Sequence, residues 1–456
     1  MHQTWVMQQF ELTKELLDEI CARIAANDEH FVDQVIIPLH PADIAEIIHE
    51  VDNESAKFIF TRIDEDVQAD VLLELDEETR EKFITSFEPK QIAAQLEKLN
   101  SDDAVDILGE LSVKRQLEVI SEMDEEDADQ LVKLLNYDED SAGGLMQTEF
   151  IKAKIDWPVN RCIIELRRQA EEVDKVFTIY VVDHKDKLVG VLSLKALLFA
   201  KPNTLIKDLF VASNIISVNT STDGEEVARI MDKYDLVSIP VVDLQGKLVG
   251  RITIDDIVEL IREEADKDFQ MASGISENVE ANASLWRLSR ARLPWLFIGM
   301  FGGILGAQVI GNFEVQIGKI PALAFFIPLV AAMGGNVGVQ SSAVVVQSLA
   351  NGTNQFSSIL SRVKKEALLG LLNGLICAIV IFLVTWLLET PRLGLTVSLA
   401  LFTVIFFAAV LGTLIPLILD KYGIDPAVAT GPFITTMNDV VGLFIYFTMG
   451  MLVFDL

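Results

Sequence analysis

Five long apolar stretches in the last part of the chain limit most strongly what it can fold into. Each has the roughly 20 residues that an α-helix needs to cross the hydrocarbon core of a bilayer. One such stretch could be a buried helix of a soluble protein, but five in succession predict a transmembrane domain over residues 286–456. The stretches are Leu293–Asn312, Ile320–Ala350, Glu366–Leu388, Leu393–Leu419 and Pro426–Phe454.

The charge of the chain changes at the same place. Its 456 residues carry a formal net charge of −31, but those from Trp286 onward have seven acidic and nine basic side chains, a net of +2. The first 285 residues therefore carry −33. A domain of that charge repels phosphates, which excludes nucleic-acid binding by counterion release. Cys21, Cys162 and Cys377 lie far apart and form no metal or disulfide pattern, which is typical of a reducing cytoplasm.

Lysine and arginine predict how the membrane domain is oriented. Seven of them lie before the first stretch, between the second and third, and between the fourth and fifth, whereas the other two loops hold Lys319 and Arg392. This bias places the acidic N-terminal part in the cytoplasm and, after five spans, Leu456 on the extracytoplasmic side of the cell (inner or plasma) membrane. Residues Met1–Glu19 lack the apolar core of a signal peptide, so we expect no cleaved signal.

The second and fifth stretches carry polar residues at mid-depth. The second contains MGGNVGVQSS over Met333–Ser342, where three glycines and two amides are expected to weaken a helix and leave carbonyl groups free. Such backbone is tolerated in a membrane only where it is buried or lines a wet cavity. The fifth contains Asp439, the only acid well inside an apolar stretch. An intramembrane acid indicates a functional site, here a cation path, and a structural carboxylate bonded to a neighbouring helix is the alternative.

The first 138 residues are expected to form a superhelix of short helices. Several short amphipathic segments begin with Pro, Ser or Asp, which favour helix starts. Stacked short helices are typical of a superhelix, in which most acids serve as caps or solvated faces. The segments are Asp43–Val51, Asp66–Leu75, Pro89–Leu99, Ser101–Leu111 and Glu125–Leu135.

The middle of the chain contains an internal repeat. Val176–Phe199 and Leu236–Glu259 align at an offset of 60, with eight of 24 positions identical. Each unit has the pattern strand, turn, strand, helix. The repeat resembles a tandem of cystathionine-β-synthase (CBS) domains, which are α/β regulatory modules.

The CBS resemblance implies an adenine-nucleotide site, with ATP as a candidate cofactor. Thr253 and Asp256 match the ribose-contacting Thr/Ser-x-x-Asp of that family. The first unit keeps Ser193 but has Ala196 in place of the acid. Nucleotide binding is therefore expected at one site at most.

The order of these parts resembles the MgtE family of magnesium channels over nearly the whole chain. The shared markers are Ala142–Met146, Gly334–Asn336 with Gln340–Ser341, and Asp425–Pro426 with Asp439–Leu443. The acidic stretch Glu259–Asp268 after the CBS pair is then either a solvated linker or a gating helix. The resemblance implies a multidomain membrane protein with an α-helical superhelix domain (1–138), two CBS domains (139–200 and 201–262), a long connecting helix (263–285) and a five-helix transmembrane domain (286–456).

The resemblance also implies a homodimer with an ion pore along its two-fold axis. Asp439 matches the pore aspartate of the family, and Asn336 matches a pore-lining asparagine of the second span. Thr435 and Gly431 are assigned to the same pore. Two departures from the family pattern are Val339, where a second asparagine is frequent, and Gly431, where asparagine can occur.

Regulation by cytoplasmic Mg²⁺ is a further implication of the resemblance. The family closes its pore when Mg²⁺ binds acids between the helical domain, the CBS pair and the connecting helix. Lys267 stands where the family can carry another acid. The matching positions are Asp70, Asp102, Asp223, Glu225, Asp235, Asp256, Glu259, Glu264 and Asp268.

We therefore expect a Mg²⁺ channel or transporter for magnesium uptake and homeostasis. Mg²⁺ prefers oxygen ligands and releases water reluctantly, so a carboxylate ring can hold it without full dehydration. One alternative is a transporter of Co²⁺ or Mn²⁺, although a pore without cysteine or histidine disfavours soft metals. The other is a membrane receptor whose CBS pair signals without transport. The sequence contains no nucleophile–base pair, P-loop or zinc motif, so we do not expect an enzyme.

Overall fold

The computed structural model describes residues 10–170, 173, 175–211, 215–276, 279, 283–350, 358–429 and 431–455. The chain divides into two compact units, Met1–Ile261 and Arg262–Leu456. The first unit holds the helical domain and both small sheets, and the second holds the membrane-length helices.

The N-terminal part consists of short helices that stack in an alternating order. Helix α3 packs on α5, α5 on α7, α7 on α9, and α8 on α10, which is the arrangement of a superhelix. The predicted superhelix is therefore confirmed. The helices are α1 (Lys14–Ala25), α2 (Glu29–Phe31, continued by a π turn at Val32–Ile36), α3 (Pro41–Glu50), α4 (Asn53–Phe60), α5 (Glu65–Leu73), α6 (Glu77–Ile84), α7 (Pro89–Leu96), α8 (Ser101–Glu110), α9 (Val113–Ile120) and α10 (Glu125–Leu134).

Acidic and proline residues begin many of these helices. The side chain of Asp52 accepts hydrogen bonds from the backbone N–H groups of Glu54 and Ser55, both at 3.0 Å. Asp76 accepts from Thr79 N–H at 3.0 Å in the same way. These bonds satisfy amides that the first helical turn leaves free. Part of the strong negative charge of this domain is therefore structural.

Each repeat unit folds into a three-stranded sheet with one parallel and one antiparallel pairing. The strand order is β1-β2-β3 in the first sheet and β4-β5-β6 in the second. The strands are β1 (Lys152–Lys154), β2 (Ile179–Val182), β3 (Leu188–Leu192), β4 (Val218–Asn219), β5 (Ser238–Val242) and β6 (Leu248–Thr253), and the helices are α11 (Val159–Gln169), α12 (Leu194–Phe199), α13 (Gly224–Lys233) and α14 (Ile254–Ala272).

The two sheets repeat each other residue by residue, which confirms the predicted internal repeat. Val181 pairs with Gly190 in the first sheet and Val241 with Gly250 in the second, and both hairpins change register at the next position. The aspartate of each hairpin turn accepts two backbone N–H groups, at 2.7 and 2.9 Å in the first unit and at 2.8 and 2.9 Å in the second.

Helix α14 differs from the expected connecting helix. It starts at Ile254, directly after β6, and ends at Ala272 rather than continuing to residue 285. Gly274 then adopts a φ of +82°, a conformation that ends helices and favours glycine. Ser276 donates two hydrogen bonds, from N–H and from Oγ, to the carbonyl of Ala291, each at 2.9 Å.

Five helices of the described chain are long and apolar enough to cross a membrane, as predicted. Helix α19 is the most buried of them and packs against α17, α18 and α20. Much of α18 exposes leucine and isoleucine side chains, as expected for a surface in contact with lipid. The elements are α15 (Leu285–Asn312), α16 (Glu314–Lys319), a 3₁₀ turn (Pro321–Phe326), α17 (Ile327–Ala350), α18 (Ile359–Leu388), α19 (Pro391–Lys421), a second 3₁₀ turn (Pro426–Ala429) and α20 (Pro432–Phe454).

The second span is an unbroken helix, so the expected weakening of its middle is wrong. Helix α17 continues through Met333–Ser342. Its glycines serve close packing instead, because a Cβ at Gly338 would overlap the side chain of Asn438, and a Cβ at Gly412 of α19 would overlap the carbonyl oxygen of Gly338. Small residues let membrane helices approach each other in this way.

Candidate ion pathway and acidic cluster

The structure brings the second and fifth spans together at Asp439. A Cβ added to Gly335 of α17 would lie 3.5 Å from Oδ1 of Asp439 and 2.9 Å from Cγ2 of Thr435. Asp439 is half-buried, whereas Asn336 is exposed on the next position of α17. A carboxylate therefore lies beside the glycine face of a neighbouring membrane helix.

Gly431 and Thr435 belong to the start of α20. Gly431 has a φ of +60°, and a Cβ there would overlap the carbonyl oxygen of Ala272, the last residue of α14. Thr435 donates its hydroxyl hydrogen to the carbonyl oxygen of Gly431 at 2.9 Å. Glycine is therefore required at position 431 both by the backbone conformation and by the close approach of α14.

Two polar residues of this unit make contacts with α17 that the sequence did not indicate. The hydropathy pattern placed the start of the third apolar stretch at Glu366, but α18 begins two turns earlier, at Ile359. Oε2 of Glu366 accepts a hydrogen bond of 3.3 Å from the hydroxyl of Ser341 on α17. Asn438, next to Asp439, is 3% exposed and lies against Gly338. If the start of α18 had been placed at Ile359, Glu366 would have been recognised as an acid inside a membrane-length helix.

Asp268 near the end of α14 lies close to other carboxylates of the same unit. Burial raises its pKa, and the negative charges of Asp425 and Glu264 raise it further, while Lys267 opposes them. Lys267 is engaged with Glu264, at 3.0 Å between Nζ and Oε1. Two expected sensing residues, Glu264 and Asp268, are thus near each other, with a lysine between them.

In the first unit, the central acid of the expected regulatory site is deeply buried. Asp102 of α8 is 6% exposed. Its Oδ1 accepts a hydrogen bond from Asp103 N–H and its Oδ2 one from Nε2 of Gln147, both at 3.0 Å. Burial raises the pKa of Asp102 well above its usual value, and the charges of Asp103 and Asp256 add to this.

A glutamine connects Asp102 to a buried arginine. Oε1 of Gln147 accepts hydrogen bonds from Nε and Nη2 of Arg251, at 2.9 and 2.7 Å. Arg251, on β6, is 3% exposed, and its Nη1 donates to the carbonyl of Lys175 at 3.0 Å. Neither Gln147 nor Arg251 was predicted from the sequence, because neither is an acid and neither lies in a motif that this chain shares with the family.

The start of α8 is held by the segment that leads into the CBS pair. Oε2 of Glu149 accepts from the N–H and the hydroxyl of Ser101, at 3.2 and 2.9 Å. Its Oε1 accepts from Nε2 of Gln130 on α10 at 3.1 Å. A carboxylate at a helix N-terminus is favourable because of the free amides there. This contact fixes the position of the neighbouring Asp102.

Asp256 faces the same cluster from the first turn of α14. Burial raises its pKa, although two hydrogen bonds from Thr253 to Oδ2, at 3.2 Å from N–H and 2.8 Å from Oγ1, oppose the shift. Burial and the charges of Asp256, Asp106 and Glu259 raise the pKa of Asp103 to about 7. Crowded carboxylates of this kind are stabilised by a proton or a cation.

The remaining predicted sensing residues of the first unit are exposed. Asp223 caps α13 by accepting from Glu225 N–H at 3.0 Å, and Asp235 has a φ of +52° in the turn before β5. Asp70 lies on α5 and Glu259 on α14. Asp102 and Asp256 therefore belong to one cluster, to which the charge of Glu259 contributes.

A second group of acids lies elsewhere in the helical domain. Carboxylate oxygens of Glu97, Asp124 and Asp127 are within 4.8 Å of one another, at exposed positions.

The predicted nucleotide-contacting pair, Thr253 and Asp256, forms a hydrogen bond between its own two side chains. In the first CBS unit Ser193 accepts from Ala196 N–H at 3.1 Å and caps α12.

A stacked helical domain, two CBS-type sheets and five membrane-length helices define a multi-span membrane protein with a tandem-CBS soluble part. Models of three families match: "divalent cation transporter" (MgtE) at residues 327–449, "MgtE intracellular N domain" at 39–140, and CBS domain at 142–203 and 206–263. The magnesium transporter MgtE of Bacillus subtilis (strain 168) is 35% identical over 315 residues, which are 69% of this chain and 70% of that protein.

Two further comparisons agree. The magnesium transporter MgtE of Thermus thermophilus is 35% identical over 324 residues, 71% of this chain and 72% of that protein. A crystal structure of the cytosolic domain of the Mg²⁺ channel MgtE in complex with ATP matches with a TM-score of 0.51 and 31% identity, covering 54% of this chain and all of the other. The chain belongs to the MgtE family.

Proposed function

We propose that this protein conducts Mg²⁺ into the cell through a pathway that includes Asp439. The position of Asp439 against the glycine face of α17 carries this proposal, because it combines a carboxylate with a close helix contact at membrane depth. An ionisable group there indicates an ion pathway. The relatives named as magnesium transporters support Mg²⁺ as the ion.

The chemistry of the proposed site suits a hydrated divalent ion. Mg²⁺ keeps several waters and is bound through one or two carboxylates rather than a full protein cage. We propose a homodimer in which two copies of Asp439 face one ion near the two-fold axis. The exposed amide of Asn336 and the start of α20 at Gly431 and Thr435 would line the same path.

The acidic cluster supports regulation by cytoplasmic Mg²⁺. Burial raises the pKa values of Asp102, Asp103 and Asp256, and the repulsion of neighbouring carboxylates adds to each shift. A divalent ion would relieve that repulsion and stabilise the packed form of the first unit. The proposed sensing residues are Asp70, Asp102, Asp223, Glu225, Asp235, Asp256, Glu259, Glu264 and Asp268.

This regulation requires a defined orientation and leaves room for a nucleotide. The basic loops favour a cytoplasmic N-terminal part and an extracytoplasmic C-terminus. The second CBS unit is the proposed nucleotide site, with Thr253 and Asp256 released from their mutual hydrogen bond to contact a ribose. The ATP complex of the related cytosolic domain supports adenine nucleotide as the ligand.

The proposal is tested by Mg²⁺ uptake into proteoliposomes that contain a fluorescent Mg²⁺ indicator. The wild type should take up Mg²⁺ when the cytoplasmic face sees low Mg²⁺. Asp439→Asn keeps the side-chain shape and removes the charge, so uptake should fall to the level of empty liposomes. Asp420→Asn is the matched control, because Asp420 is exposed near the end of α19.

The outcomes separate the alternatives. No uptake by folded wild type would contradict transport and favour a CBS-based receptor. Uptake that persists in Asp439→Asn would move the pathway away from α20. Stronger flux of Mn²⁺ or Co²⁺ than of Mg²⁺, measured in the same liposomes, would contradict Mg²⁺ as the preferred ion.

A further inference from the structure

Asn438 of the fifth span and Ser342 of the second each bury a polar atom that has no hydrogen-bond partner among the residues that the structure describes. The atoms are Nδ2 of Asn438, in a residue that is 3% exposed, and Oγ of Ser342, in a residue that is 0% exposed. Buried polar groups of native proteins are nearly always hydrogen-bonded, so each exception requires an explanation. Inside a bilayer the free-energy cost of an unpaired group is highest.

The amide of Asn438 occupies the space that a glycine leaves on α17. A Cβ at Gly338 would overlap Nδ2 of Asn438, and a Cβ at Gly334 would lie 3.8 Å from its Cβ. The side chain therefore extends along the face of α17 from Gly334 to Gly338. Because residues four apart share one face of a helix, the same face continues to Ser342.

The hydroxyl of Ser342 is well placed to approach this amide. Side chains of an α-helix lean toward its N-terminus, which at Ser342 is the direction of Gly338. Cβ positions four residues apart are separated by about 6 Å. One water molecule spans such a gap with two hydrogen bonds of about 2.8 Å each. A buried water is stable where it finds two or more polar partners.

We propose that Gly338, Ser342 and Asn438 form a buried site for one ordered water molecule between the second and fifth spans, and that this water makes Asn438 a positioning residue for Asp439. The second part rests on the proposed function. Consecutive residues of a helix are fixed in direction relative to each other, so a water that holds Asn438 against α17 also fixes the rotation of α20. That rotation determines where the adjacent Asp439 carboxylate points.

The test uses the full-length protein with Asn438→Leu. Leucine keeps the branched shape but removes the amide that the water pairs, so the melting temperature should fall by a few degrees while the protein still folds. Mg²⁺ uptake at subsaturating Mg²⁺ should nevertheless fall by about tenfold, the factor that corresponds to one hydrogen bond of about 1.4 kcal/mol. The half-saturating Mg²⁺ concentration should rise, because Asp439 is no longer held in place.

Ser342→Ala removes the other partner of the same water. It should lower uptake in the same direction, and the double variant should be no worse than Asn438→Leu alone, since one water is lost in each case. Ser398→Ala is the matched control: Ser398 is buried on α19 but donates to Gly394 of its own helix at 2.6 Å. Its uptake should equal that of the wild type.

A high-resolution cryo-EM map of the wild type should show water density between Nδ2 of Asn438 and Oγ of Ser342. Unchanged uptake and half-saturation in Asn438→Leu would overturn the positioning role. The shared water site would be contradicted by a map without that density. It would also be contradicted if the effects of the two single variants multiply in the double variant. If the wild type carries no Mg²⁺ at all, the proposed function fails, and the water site is decided by the map and by the non-additivity of the melting temperatures.

Discussion

Gln147 lies between a buried carboxyl group and a buried guanidinium group. Its amide oxygen accepts from Arg251 and its amide nitrogen donates to Asp102, so one neutral side chain satisfies both groups. Direct burial of an unpaired charge is very unfavourable, and hydrogen bonds to charged groups contribute about 1.5–3 kcal/mol each. Gln147 thus joins the helical domain to β6 of the second CBS unit.

Replacing Gln147 by leucine should lower the free energy of unfolding of the first unit by about 3 kcal/mol in Mg²⁺-free buffer, because Asp102 loses one hydrogen bond and Arg251 loses two. Denaturant unfolding followed by circular dichroism measures this. Gln34→Leu is the control, because Gln34 is exposed and such surface changes stay within about 0.5 kcal/mol. Equal shifts in the two variants would show that the amide link contributes nothing of its own.

At the scale of the helices, the contact between α17 and α19 depends on two glycines that face each other. A Cβ at Gly412 would overlap the carbonyl oxygen of Gly338, which belongs to the backbone and has no other rotamer. Gly412→Ala should therefore lower the melting temperature of the detergent-solubilised protein by several degrees, corresponding to about 1–3 kcal/mol of overpacking.

Gly303→Ala is the comparison for that variant. No atom of the described chain lies within 4 Å of a Cβ at Gly303, and alanine is the better helix former by about 1 kcal/mol. Its melting temperature should be unchanged or higher. If Gly412→Ala were as stable as Gly303→Ala, the two helices would have to separate easily, and the packing role of Gly412 would be wrong.

The same helices show what the sequence could predict. Hydropathy alone located five spans, and the offset of 60 located the repeat, because both patterns extend over many residues. Glycine in α17 was interpreted by its helix propensity, yet tertiary packing outweighs that weak preference. The contacts of Glu366 and Asn438 with α17 could not be predicted, because they depend on which helices become neighbours, and a single sequence does not contain that pairing.

For the whole molecule, the distribution of charge determines the expected response to Mg²⁺. The chain carries −31 overall and places Asp102, Asp103 and Asp256 together, although each has a raised pKa. Net charge of one sign opposes the compact state, and a bound divalent ion offsets this. The family resemblance supplied Asp102 and Asp256, whereas their burial and crowding could be obtained only from the structure.

We expect the wild type to close at millimolar Mg²⁺ on the cytoplasmic face, and Asp102→Asn combined with Asp256→Asn should leave uptake active under the same condition. The reason is that neutral asparagine side chains at positions 102 and 256 do not repel the neighbouring carboxylates, so the cluster packs without a bound cation. Patch recordings or proteoliposomes with controlled Mg²⁺ on that face measure the closure. The control exchanges Asp18 and Asp208 for asparagine, since both are exposed. Closure of the double variant at the wild-type concentration would count against gating by this cluster.

Because glycine has no side chain, Gly431 allows the end of α14 to approach the start of α20 closely. The carbonyl of Ala272 lies where a Cβ would be, and Gly274 makes a similar approach to Pro432, 2.7 Å from a Cβ position to Cγ. With a ψ of −125°, Gly431 lies outside the left-handed helical region that asparagine tolerates, so an asparagine there would be strained and would also overlap the end of α14. A substitution that adds a side chain at position 431 must therefore also reshape the end of α14 that rests on it.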